Sequence, residues 1–385
     1  MNSLDVLFQA SLGIENNKWT NDTLAALPTC KGVLLFADAA GRPIQLLQAA
    51  NCRRTAQARL VHDDTQSAPR KKADVSDLTT CVYYTCCYNN FLSQVTYTHL
   101  AHILYENESE SWIQLPKISF AVIDTSALLP YFHVTEAVEE HSGQKRFGLF
   151  ASRKAASEFC EILNTIFVLC RNPSLLKTGR ESSCPYLQMQ TCPGPCLHAA
   201  LQDDYAEAVQ SAIQTAAGNV ESASNQFRQQ MQQASEQMAF EKAQYCKKKM
   251  ELLEKLNRPD FLYVHPLKDI CFLHIDIGPK EKLEGSNRKI RQLMWYKVTA
   301  DGAYRLGSCT PDTTDDIKAF LETNWPKNDN PLDIRGPKEL LSLVSLHLFR
   351  SQQSGIWLDC AGGIWLEKII SELQSCFELN LSTAD

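Results

Sequence analysis

No stretch of this chain stays apolar for the ~20 residues that a bilayer crossing needs. Charged or polar side chains interrupt each candidate, so a membrane protein is not expected. The first residues, MNSLDVLFQASLGIENNKW, lack the basic start, long apolar run and small-residue cleavage site of a secretory signal, and a cytoplasmic location is the expectation. Positive charge is not in excess either. The 38 Lys and Arg against 44 Asp and Glu leave a formal net charge of −6, which argues against coating nucleic acid through bulk charge, since that requires basic side chains to neutralise phosphates. Low-complexity tracts and internal repeats are also missing. With 44% hydrophobic and 21% charged residues the composition is that of an ordinary globular protein. At roughly 100 to 200 residues per domain, 385 residues imply two to four domains.

What the chain does have is cysteine, 15 in all. In a reducing compartment, grouped cysteines are metal ligands or reactive thiols more often than disulfides. One group runs Cys170, Cys184, Cys192, Cys196, with Pro185 after the second and Pro193, Gly194 and Pro195 inside the last gap. Four thiolates are the usual complement of a 4Fe–4S cluster, one per iron, and prolines stiffen the loop that would hold them. A zinc ion would accept the same four sulfurs in a tetrahedron, although the wide first gaps depart from paired short knuckles. Unliganded cysteines are the third reading. Cys86-Cys87, with Cys81 nearby, reads as small buried side chains, because neighbours on a strand point to opposite faces. Local basic patches remain DNA-contact candidates: Arg53, Arg54 and Arg59, then Arg70, Lys71 and Lys72, with a further triplet at Lys247, Lys248 and Lys249. The alternative for each is a solvated surface.

Along the chain, the apolar run 32–36, a turn signal at 38–43 and a second run from Ile44 predict a hairpin. Residues 62–80 are polar and read as a loop, followed by a strand-like segment from Cys81 that turns helical. From Ser152 the apolar positions Ala156, Phe159, Ile162, Leu163, Ile166 and Phe167 fall three and four apart, which predicts an amphipathic helix ending on Cys170. Residues 202–256 contain no proline, and Gly218-Asn219 is the only breaker, so two long helices are expected there, the second carrying a narrow apolar stripe from Met231 to Leu253. Strand-like runs follow from 261, and helices at 336–349 and 364–377 flank a strand signal at GIWLDCAGGIWL. Asp276 reads as an ordinary strand end with no partner carboxylate.

Four segments, in order, resemble UvrC, the nuclease subunit of bacterial nucleotide excision repair. Gly32–Phe36 through Gly41-Arg42-Pro43 to Asn51-Cys52-Arg53-Arg54 resembles the start of a GIY-YIG nuclease module. Arg146–Phe150 with Ser152–Ala156 is similar to the segment ahead of the family's cysteine helix. The cysteine set resembles its iron–sulfur motif, and Phe240-Glu241-Lys242-Ala243 within 231–256 resembles the core of the UVR hairpin that contacts the helicase subunit UvrB. The resemblance implies a multidomain α/β (α+β) protein: a degenerate GIY-YIG-like mixed domain with a small antiparallel sheet at 1–135, the cysteine region at 136–200, a UVR-like helical hairpin at 201–258 and a C-terminal α+β domain at 259–385. It also implies DNA and a UvrB-like helicase subunit as partners. It places the family's RNase H-like nuclease and helix-hairpin-helix tail beyond residue 385.

Where the family's nuclease module carries catalytic tyrosines, this chain reads Leu34 and Gln45. The glycine and lysine of its second element are Leu47 and Gln48, and Thr55 follows Arg54. Leucine cannot orient water, and glutamine cannot ionise to act as a base. Glu106 matches the metal-binding glutamate only across an insertion. The expectation is therefore a DNA-repair pseudo-nuclease that keeps a scaffold and has lost the chemistry. Two alternatives stand beside it: a Mg- or Mn-dependent endonuclease rearranged around Glu106 with Tyr83, Tyr84 or Tyr88, and a redox sensor built on the cluster.

Overall fold

The computed structural model describes residues 3–14, 18–61, 74–282, 289–309, 311, 313–350 and 353–377. It divides into two compact units, one made of Met1–Leu115 together with Phe272–Asp385, the other of Pro116–Cys271.

The first unit begins with helix α1 (Ser3–Leu7), strand β1 (Ala10–Gly13) and helix α2 (Asn21–Leu24). The expected hairpin follows as β2 (Gly32–Ala37) and β3 (Pro43–Ala49), antiparallel, with Leu34 opposite Leu47 and Phe36 opposite Gln45. Helix α3 (Cys52–Leu60) starts on the side chain of Asn51, which accepts from Arg54 N–H. Strand β4 (Cys81–Cys86) then pairs with β2, and α4 (Asn90–Tyr105) and α5 (Ser109–Trp112) close this part. The sheet order is β1-β4-β2-β3. Every residue of β2 is buried, because the sheet is covered on both faces. Leu34 and Phe36 pack with Cys52, Ala56 and Val82 on one face, while Val33, Leu35 and Ala37 pack with Tyr83, Leu100 and Ala101 on the other. A continuous apolar run, rather than an alternating one, is what two covered faces require.

The second unit opens with β5 (Phe120–Asp124), β6 (His133–Thr135) and β7 (Gln144–Gly148). Helix α6 (Arg153–Ile166) packs on this sheet, capped by the Ser152 side chain, which accepts from Ala155 N–H. The buried Asn164 amide clamps the helix to the backbone of Phe132, accepting from its N–H at 2.9 Å and donating to its C=O at 2.8 Å. The helix stops at Ile166, four residues short of the expected end on Cys170. Val168 turns into the left-handed region at φ 55 and Leu169 N–H returns to Asn164 C=O, so the apolar periodicity outlasts the helical backbone.

Short helices α7 (Pro173–Thr178) and α8 (Pro185–Gln188) carry the cysteine loop. Three helices follow instead of two: α9 (Gln202–Ala216), α10 (Val220–Glu236) and α11 (Phe240–Glu254). The missed break needs neither glycine nor proline, because Met238 itself adopts φ 57 and Ala239 N–H closes on Ala234 C=O. Helices α10 and α11 pack against each other as a hairpin. The stretch 261–265 read as a strand is mostly turn, and only β8 (His265–Pro266) pairs, with β7.

The chain then returns to the first unit. Strands β9 (Cys271–Lys282), β10 (Lys289–Thr299) and β11 (Ala303–Cys309) form a sheet of order β11-β10-β9-β12, with α12 (Thr314–Asn324), α13 (Gly336–Leu348), β12 (Ile356–Asp359) and α14 (Leu366–Phe377) completing it. Phe91 of α4 is surrounded edge-on by His274, Tyr296, His347 and Trp357 at 5.1, 5.6, 5.6 and 5.3 Å. Asp276 is a buried mid-strand residue rather than a strand end, held by Ser354 Oγ at 2.7 Å.

Candidate cysteine-lined site

The four cysteines expected to act together line one pocket in the second unit. Leu129, Leu169, Leu175, Leu176, Tyr186 and Tyr205 supply most of the remaining wall, with Glu181 as the acidic residue among the lining side chains. Cys170 stands beyond α6, where its backbone N–H donates to Tyr205 Oη at 3.0 Å and that hydroxyl donates to Pro130 C=O at 2.7 Å. Cys184 is the residue before α8, with Pro185 at the first helical position, and its C=O accepts from Leu187 and Gln188. Proline suits that position because it needs no backbone donor there. Cys192 N–H donates to Tyr186 C=O at 3.1 Å, which folds the loop back on α8. Ahead of Cys196, Gly194 lies at φ 80, and a Cβ there would meet Leu187 Cδ1 at 2.8 Å. Glycine is favoured there by the left-handed backbone, while the Leu187 side chain would have to shift for a Cβ.

Arg171 braces the loop from one side. Its guanidinium lies 3.9 Å over the Tyr186 ring and reaches Thr191 C=O and Oγ1 at 3.4 and 3.3 Å. Burial pushes the Cys170 thiol up, and the sulfurs of Cys192, Cys196 and Cys184 push in the same direction. Cys196 is raised by burial as well, with Cys192, Cys184 and Glu181 adding to it. Burial of this kind opposes several uncompensated thiolates, and a cation among them would relieve it. Among the described residues, no group of three or more His, Cys, Asp or Glu side chains is gathered tightly enough to hold a single metal ion. Tyr205 and Arg171 are not singled out by sequence. The one available signal is a lone aromatic in the polar start of α9, QDDYAEA.

The residues expected for the nuclease site and the Arg53–Lys72 basic patches lie in the first unit, and Lys247, Lys248 and Lys249 lie on α11 in the second. Leu34 is fully buried and Gln45 Oε1 has no hydrogen-bond partner among the described residues. Gln48 Nε2 donates to Gln94 Oε1 at 2.8 Å. Glu106 is exposed at the end of α4, with φ 34. Tyr83 is buried. Arg53 is spent on the fold, its Nε donating to Leu27 C=O at 2.9 Å, whereas Arg54 is exposed and Arg59 half-buried on α3. Lys71 and Lys72, with most of the polar loop, lie outside the described residues.

Residues 118–215, from β5 through α9 and including all four cysteines, match the UvrC/Cho excinuclease middle-domain family. Over this segment the chain is similar to the UvrC family. The UvrABC system protein C of Caldicellulosiruptor saccharolyticus is 24% identical over 246 residues, covering 61% of this chain and 39% of that protein. That of Bartonella quintana is 26% identical over 196 residues, 45% of this chain and 29% of its own. For Leptospira biflexa the identity is 28% over 141 residues, 36% and 23%. The chain thus spans about a quarter to two fifths of the length of these UvrC relatives. No solved structure matches it. Among the described residues no helix is long and apolar enough to cross a membrane. The UvrC middle-domain match begins beyond β1–β4 and does not cover that sheet.

Proposed function

We propose that this chain is a catalytically degenerate UvrC-like scaffold of DNA repair, braced by a 4Fe–4S cluster on Cys170, Cys184, Cys192 and Cys196. The observation that carries the reading is the gathering of these four thiols around one cavity inside the segment that matches the UvrC middle domain. The donor set suits iron: four soft sulfurs, apolar and aromatic walls, and a loop fixed by backbone hydrogen bonds. A single zinc ion would instead draw the same four sulfurs to about 2.3 Å from one point. When bound, the cluster supplies four covalent ties between the end of α6, α8 and the loop before α9. The Cys170 backbone held by Tyr205, and Arg171 stacked on Tyr186, keep those ties in place.

Loss of nuclease chemistry is supported by Leu34 and Gln45 at the positions where the resemblance implies tyrosines, and by an exposed Glu106 with no gathered acidic partners among the described residues. The α10–α11 hairpin, which overlaps the expected 231–256 segment through its turn and α11, is the protein-docking element. At its turn Met238 and Phe240 are 77% and 68% exposed, large apolar side chains in a place where burial by a partner would be favourable. A UvrB-like helicase subunit is the occupant this reading assigns, and Arg54 is the exposed basic residue on α3 for DNA.

Anaerobically purified protein tests the reading directly. Brown protein with about four irons per chain, and loss of iron in Cys192→Ser, are expected. Colourless protein holding zinc would overturn the cluster. Incubation with nicked and damaged DNA in Mg or Mn should give no cleavage; cleavage abolished by Glu106→Gln would restore the enzyme.

A further inference from the structure

A second concentration of thiols lies in the first unit, far in sequence from the cysteine loop. Cys30 lies two residues before β2, Cys52 is the first residue of α3, and Cys86 is the last residue of β4. The fold converges on Gly32, which pairs with Cys86 on one side and Ala49 on the other. Cys52 N–H donates to Cys30 C=O at 3.0 Å, so these two residues lie side by side, and Cys52 Sγ is 2.9 Å from where a Cβ on Gly32 would stand. Lys31 C=O accepts from Cys87 and Tyr88 at 2.9 and 3.1 Å, which fixes the end of β4 at the same place. Cys87 faces away, toward Thr96 Oγ1 at 3.6 Å.

The backbone contact of Cys52 with Cys30, and the pairing of Cys86 with Gly32, bring both thiols toward the Cys30 sulfur, and both act to lower its pKa. Two S–H donors on one sulfur favour the thiolate on it, which takes Cys30 down to about 3, while those same bonds and burial push Cys52 and Cys86 up. Cys30 is half-exposed and Cys52 buried, so a reagent from solvent meets the thiolate first and the neighbouring thiol stays shielded. The pairing corrects the expectation for Cys86, which is a member of a polar thiol group rather than an isolated buried side chain.

We propose that Cys30 is a reactive thiolate that exchanges with small-molecule disulfides and then closes a disulfide to Cys52. In the first step Cys30 S⁻ attacks one sulfur of R–S–S–R, forming Cys30–S–S–R, and R–S⁻ leaves with the bonding pair. Cys52, giving up its proton to water, then attacks the Cys30 sulfur and expels the second R–S⁻. Two protein thiols are oxidised by two electrons and one disulfide is reduced to two thiols, which take up protons from water. Cys86 acts as the second donor that holds Cys30 as a thiolate.

The test uses the full chain with oxidised glutathione under anaerobic conditions, with peptide mapping by mass spectrometry. The expected product is a Cys30–Cys52 bridge. Cys52→Ser should trap glutathione on Cys30, and Cys86→Ser should still form the bridge. Alkylation of Cys30 by iodoacetamide should be nearly constant from pH 5 to 8, where an ordinary thiol speeds up by roughly 10² to 10³ because its thiolate is scarce below pH 8.5. Failure of Cys30 to react in the wild-type chain, a bridge to Cys86 instead, or an alkylation rate that climbs with pH like an ordinary thiol's would overturn the proposal.

Discussion

Replacing Tyr205 with phenylalanine removes one oxygen and leaves the ring in its buried position, 7% exposed. That oxygen makes two bonds with different partners, accepting from Cys170 N–H at 3.0 Å and donating to Pro130 C=O at 2.7 Å. At about 1 to 1.5 kcal/mol net for each bond, Tyr205→Phe should destabilise the second unit by about 2–3 kcal/mol. That corresponds to an opening constant about 30- to 150-fold larger, a tenfold change being about 1.4 kcal/mol. All six tryptophans lie outside residues 116–271, so fluorescence is blind to this unit. Hydrogen exchange of amides in α6 and α9 reads it instead. Those amides should exchange faster by the same factor, and under the proposed cluster reading iron should be lost more readily, since the hydroxyl positions the backbone of one cysteine. Exchange unchanged within about threefold would show that the hydroxyl does not join α9 to the cysteine loop, and the account of how the loop is held would fail.

Gly32→Ala places a Cβ 2.2 Å from Thr85 C=O and 2.9 Å from Cys52 Sγ; a backbone clash of this kind should cost at least the roughly 1–3 kcal/mol of ordinary overpacking, seen as a lower fluorescence melting temperature. Burial holds His274 down at about 3 and His347 at about 4, against 6.5 when exposed. Between pH 6.5 and 4 the unfolded chain therefore binds protons that the folded one refuses. Stability of the first unit should fall over that window as pH drops, by up to about 1.4 kcal/mol per pH unit for each histidine, partly offset near its lower end by Asp276, which burial raises. A melting temperature flat from pH 6.5 to 4.5 would contradict the buried neutral histidines. Phe240→Ala should leave stability within about 0.5 kcal/mol, as an exposed side chain does, yet weaken binding of a UvrB-like subunit tenfold or more in a titration; equal binding would remove the hairpin turn from the interface.

Much of the fold is legible in the sequence where local rules agree with the tertiary structure. The β2–β3 hairpin, the Ser152 cap of α6 and the gathering of Cys170, Cys184, Cys192 and Cys196 each have a local signature in turn residues, capping or spacing. The failures have a common cause. Val168 and Met238 take left-handed backbone without being glycine, and their cost is met by returning hydrogen bonds to Asn164 and Ala234, which no composition rule announces. Helix α12 is the exception, since its capping box at Thr313 and Asp316 is a local signal that goes unread among the expected elements. Cys30 joins Cys52 and Cys86 only through strand pairing, so neither spacing nor composition points to it.

The first unit is made from two stretches that the second interrupts, and Phe91 carries the cost of that arrangement during synthesis. Its ring sits among His274, Tyr296, His347 and Trp357, all delivered by the last third of the chain. As the polypeptide leaves the ribosome, residues 116–271 are complete as a segment while α4 still presents this aromatic to water. The packing around Phe91 is therefore completed only once residues through Trp357 have been made.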